Sequence, residues 1–71
     1  MNITYVQQAG RAERDPYLNA GYLSRRAYLE GLALEHGVAR ESVFALASLL
    51  GRNEDFDGLV TAVEDEADRN A

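Results

Sequence analysis

Apolar residues recur along this chain at helical spacing, in short runs separated by glycine. Residues 53–71 give the clearest case: Phe56, Leu59, Val60, Val63 and Ala67 step i, i+3, i+4, i+7 and i+11, the stripe of an amphipathic helix. Asn53 is a suitable cap for it, with Glu54 and Asp55 in a first turn where acids suit the helix dipole, so the predicted helix covers 54–67. The acids near its far end face the wrong pole of that dipole, and its last turn is expected to fray. Upstream, Val43, Leu46, Leu49 and Leu50 place a helix over Arg40 to Leu50, stopped by Gly51. Leu23, Ala27, Leu32, Ala33 and Leu34 place another over Tyr22 to His36. Gly37 closes it as a left-handed cap, with Val38 as the apolar residue such caps favour. His36 sits in its last turn, where a basic residue suits the dipole. Asp15-Pro16 is a helix start, a carboxylate cap followed by the residue preferred at the first helical position, and residues 16–20 form one turn before a bend at Gly21. Residues 1–10 alternate weakly and read as an extended arm or strand ended by Gly10.

The fold expected is all-α. It is a small three- to four-helix bundle with a helical hairpin and a short extended N-terminal arm. One domain of 71 residues divides into an arm (1–15), a hairpin body (16–52) and an acidic amphipathic C-terminal helix (53–71). Eleven Ala and nine Leu against five Val and one Ile favour helix over sheet. A domain this small buries only about 60% of its unfolded surface, so a homodimer is a natural expectation.

Residues 29–50, LEGLALEHGVARESVFALASLL, resemble a helix-turn-helix element. Ala33 stands where two helices cross, Gly37 in the turn four later, and Val43 six beyond that; Val38 and Leu46 fill two further apolar slots. The resemblance implies a packed hairpin and, as an alternative function, a DNA-binding transcriptional regulator. Arg40 and Phe44 would then face the groove. Ala39, Glu41 and Ala45 share that face, and only Arg40 suits a phosphate or a base edge.

Residues 53–64, NEDFDGLVTAVE, resemble in spacing an EF-hand calcium loop. Asn53, Asp55, Asp57 and Glu64 fall on ligand positions, with Gly58 at the sharp turn. The competing capped helix uses Phe56, Leu59, Val60 and Val63 together, whereas the loop leaves half of them idle.

Charge divides the chain. Its formal total is −5, but residues 53–71 hold seven acids against Arg69 (7 − 1, a net of −6), while residues 1–52 hold six Arg against five acids, a net of +1. Asp57, Glu64, Asp65 and Asp68 would form an acidic face able to enter a basic groove on a partner. Three Tyr-Leu pairs interleaved with Arg suggest a second surface at Tyr22, Arg25, Arg26 and Tyr28, residue types common at binding hot spots.

There is no Cys and one His, so thiolate chemistry and multi-histidine metal sites have no residues to build them. A chain this small has little room for a dry catalytic cleft, and no cofactor is expected. Ala- and Arg-rich, Lys-free usage suggests a bacterial or phage origin. No basic-then-apolar leader opens the sequence, so the expected location is the cytoplasm of a bacterium or phage-infected host. The expectation is therefore a non-enzymatic protein acting stoichiometrically on a larger protein or complex. An inhibitor of a nucleic-acid-handling system carried by a mobile element, such as an anti-CRISPR protein, has this size and charge.

Overall fold

A computed structural model describes residues 15–70. Among them every regular element is helical: α1 (Pro16–Asn19), α2 (Arg25–His36), α3 (Arg40–Leu50), a 3-10 turn (Arg52–Glu54) and α4 (Gly58–Asn70). The arm expected over 1–15 lies outside the described residues, apart from Asp15.

Local chemistry accounts for most of the boundaries. The Asp15 carboxylate accepts from Tyr17 N and Leu18 N, and Pro16 opens α1. Gly21 makes the bend, at φ 94°. Ser24 caps α2 by accepting from Ala27 N, so α2 starts three residues later than expected and Tyr22 lies outside it. At its other end Gly37 adopts φ 68° and Val38 N donates to Ala33 O, the closing bond of a left-handed cap. The segment 37–39 is then the whole connection to α3. Gly51, at φ 92°, ends α3 and donates to Ala47 O.

The start of the last helix corrects the sequence expectation. Residues 52–54 form a 3-10 turn, 55–57 a further turn, and α4 begins only at Gly58. Glu54 reaches forward, its Oε1 accepting from Gly58 N at 3.2 Å. Phe56 therefore lies outside the helix, and the buried stripe of α4 is Leu59 and Val63. The helix runs to Asn70, with Arg69 in its last turn paired to Glu66 at 3.2 Å, where fraying was expected.

The three longer helices pack on one another around Leu29, Leu32, Ala33, Val43, Ala47, Leu59 and Val63. Val43, Leu59 and Val63 are wholly enclosed. Ala33 is buried as the hairpin expectation requires: a larger side chain there would hold α2 and α3 apart. Tyr17 and Tyr28 complete the apolar core, and their hydroxyls bond to Asp55.

Candidate functional site

Asp55 is the buried charged residue of the core, with no solvent exposure at all. Arg25, Tyr17 and Tyr28 bond to it, and Phe56 and Arg52 pack on the two tyrosines. Arg25, in the first turn of α2, donates from Nε to Oδ2 at 2.6 Å and from Nη2 to Oδ1 at 2.9 Å, a two-pronged ion pair. The same Nη2 lies 3.4 Å from Ala47 O on α3. Tyr17 Oη donates to Oδ2 at 2.6 Å, and Tyr28 Oη donates to the Asp55 carbonyl at 2.7 Å. Phe56 stacks on Tyr28 with ring centroids 4.4 Å apart, and the Arg52 guanidinium lies 5.2 Å from the Tyr17 ring centre.

Burial alone would raise the Asp55 carboxyl. The hydrogen bonds from Arg25 and Tyr17 and the charges of Arg25 and Arg52 outweigh it, holding the group below its ordinary range. Burial, with the nearby Asp55 charge, pushes Tyr28 up to about 12, and burial with the Asp55 hydrogen bond raises Tyr17.

This cluster is built for holding rather than for turnover. Both carboxylate oxygens are engaged, and no buried side-chain nitrogen or oxygen among the described residues lacks a partner. Asp55 offers no face to a substrate. It ties α1, α2 and the turn before α4 to one carboxylate.

The cluster also redistributes two sets of sequence candidates. The surface expected at Tyr22, Arg25, Arg26 and Tyr28 is not one surface. Tyr28 is buried, Arg25 is committed to Asp55, and Tyr22 is half-buried with its ring against Gly31 and edge-on to Tyr28. Arg26 faces solvent and pairs with Glu30 at 3.3 Å. Of the calcium-loop positions, Asp55 points inward, Asn53 lies in the 3-10 turn, Asp57 precedes α4 and Glu64 is inside it. No three or more His, Cys, Asp or Glu among the described residues converge to hold a metal.

On α3, Arg40 is paired to Glu30 at 3.1 Å and lies 3.9 Å from Glu41. Phe44 is half-buried against the core. The outward positions are Glu41, Ala45, Ser48 and Leu49.

Four acids lie on α4 or just ahead of it with their side chains in solvent. Asp57, Glu64, Asp65 and Asp68 are all exposed, with Thr61 among them, on the side opposite the buried Leu59 and Val63. No ion pair reaches any of the four among the described residues. No helix there is long and apolar enough to cross a membrane. No family model, curated protein or solved structure matches the chain.

Proposed function

We propose that the chain is a small non-enzymatic binding protein that acts stoichiometrically on a larger protein, through the acidic outer face of α4. The observation that carries this reading is the state of four carboxylates. Asp57, Glu64, Asp65 and Asp68 are exposed, and no ion pair reaches them among the described residues; the first stands just ahead of α4 and the other three lie on it, opposite the face fixed in the core. Glu64 and Asp68 stand one turn apart, about 6 Å along the axis, with Asp65 between them and Asp57 just ahead of the helix. A row of that kind complements a basic groove, and a groove of that kind is what a nucleic-acid-handling protein presents. The chain would then act as an inhibitor by occupying the groove in place of phosphate, in the manner of an anti-CRISPR protein.

The helix-turn-helix-like hairpin supports DNA binding less well. Arg40, the one cation suited to a phosphate, is tied to Glu30, and Phe44 packs inward. The outward residues of α3 offer no further cation.

The test begins with tagged wild-type chain and a variant carrying Asp57→Asn, Glu64→Gln, Asp65→Asn and Asp68→Asn. Both are used to capture proteins from a bacterial lysate. A partner held by the wild type and lost by the variant is then purified, and its association rate is measured against salt. The expected result is an association rate that falls with salt for the wild type and is already low for the variant, together with one-to-one displacement of nucleic acid from the partner. Equal association rates for the two chains would overturn the reading. A low-salt gel shift with the chain alone tests the DNA alternative.

A further inference from the structure

The outer side of α2 carries an apolar knob beside a hollow. Leu34 is 87% exposed although it lies inside a well-formed helix. Next to it an open hollow of about 320 Å³ is lined by Glu30, Ala33, Leu34, Val38 and Arg40. Its apolar floor is Ala33 and Val38, and at its rim Arg40 Nη1 donates to Glu30 Oε2 at 3.1 Å. A projecting leucine, a recess of matching character, one base and one acid thus occupy a single patch.

That composition is self-complementary. Across a two-fold axis each copy receives what it presents, so a patch needs both a projection and a recess and cannot carry charge of one sign. The acidic face of α4 fails the second condition, because its exposed charges are of one sign. At the hollow the charges balance. We propose that this patch is the contact between two copies of the chain. Leu34 of each copy seats on Ala33 and Val38 of the other, and Arg40 of each exchanges its own Glu30 for the Glu30 of the other, an exchange open to it because its pair lies at the exposed rim. The contact would cover a leucine that the monomer leaves in water, and would leave the acidic face of α4 outside the interface, available on both copies.

Sedimentation at about 0.15 M salt, over protein concentrations from about 10 μM to about 1 mM, tests it. A small contact of this kind belongs to the weak end of specific interfaces, so the dimer is expected to build up across that range. The weight-average mass should rise from 7.8 kDa toward twice that value. Leu34→Glu should weaken association about tenfold or more with the helical signal unchanged, because the residue is exposed. Leu23→Glu is the control: Leu23 is 90% exposed but does not line the hollow, and its replacement should leave the mass curve where it was. Arg40→Glu should weaken the dimer, and Glu30→Arg combined with Arg40→Glu should restore it, since the swap rebuilds the cross-pair. A mass of 7.8 kDa at every concentration would overturn the proposal. So would a dimer indifferent to Leu34→Glu, or one lost equally with Leu23→Glu.

Discussion

Asp55 and Asp57 stand two residues apart and live in opposite worlds. Asp55 is enclosed, its carboxylate held by Arg25 and Tyr17; Asp57 is exposed at the foot of α4, in line with Glu64, Asp65 and Asp68. Both are acids in one seven-carboxylate stretch, yet one organises the core and the other belongs to an exposed face of four. What separates them is the rest of the chain. The partners of the Asp55 carboxylate are 30 and 38 residues distant, whereas the outer carboxylates have no ion-pair partner among the described residues. The same side chain is structural where its charge is answered, and left facing solvent where it is not.

The largest break in that contrast should come from leaving Asp55 unanswered. Arg25→Met removes its two-pronged partner and strands a buried charge, a class of change that costs about 3–5 kcal/mol. Total stability for a small domain is of similar size, about 5 kcal/mol. The variant should therefore lose its far-ultraviolet helical signal at room temperature, or melt at much lower urea than the wild type. Arg25→Met combined with Asp55→Leu should recover most of the loss, because apolar groups of similar volume can replace a buried pair at little cost. If the single variant melts like the wild type, Asp55 is not the organising residue.

The pH profile sharpens the same point from both ends. Asp55 titrates lower in the fold than in the unfolded chain, so its contribution is complete above the ordinary carboxylate pKa of about 4. It is lost as pH falls through the lower folded value. Tyr28 titrates higher in the fold, at about 12, against about 10 when unfolded. Its contribution is complete below pH 10 and is lost as pH climbs to about 12. Urea midpoints should thus be flat through neutral pH and fall at both extremes. Tyr28→Phe should flatten the alkaline fall. An alkaline limb identical in that variant would place the titrating group elsewhere.

The sequence was most legible where a boundary rests on neighbours. The limits of α3 follow from Gly51 and from the turn at Gly37, and α1 follows from Asp15-Pro16; each signal lies within a few residues of what it controls. The start of α4 was misread for the opposite reason. Asn53-Glu54-Asp55 is a fair local cap, but Arg25, Tyr17 and Tyr28 draw Asp55 into the core, and the chain must turn through 55–57 before a helix can begin. Tyr28 and Arg25 read in the sequence as part of a partner-binding surface, whereas both turn inward to Asp55. Tyrosine and arginine are apolar along their length and polar at their tips, so spacing does not tell an inward hydroxyl from an outward one. The exposure of Asp57, Glu64, Asp65 and Asp68 was legible because no side chain among the described residues draws them inward.

An intermediate effect is expected where α2 and α3 meet. Ala33 is 4% exposed at that meeting, and Ala33→Leu should overpack it at about 1–3 kcal/mol. The loss should be smaller than that of Arg25→Met and insensitive to pH, since no titrating group is involved. A thermal melt showing no loss would mean that α2 and α3 can separate there without disturbing the core.

The smallest change in stability belongs to the acidic face, and that smallness is its diagnostic. Replacing Asp57, Glu64, Asp65 and Asp68 by their amides removes four exposed charges that no described residue answers. Surface changes of this kind usually stay within about 0.5 kcal/mol each. The sign can be argued as well. Asp68 lies in the last turn of α4, where the helix dipole disfavours an acid, and Glu64 and Asp68 repel each other one turn apart. Amides relieve both, so the melting temperature should stay level or rise slightly, and the gain should shrink in added salt as the repulsion is screened. A fall in melting temperature would mean that one of the four carboxylates supports the fold as Asp55 does. Stability unchanged or improved while association with the partner slows would leave the acidic face no structural reason to exist, and binding as its remaining one.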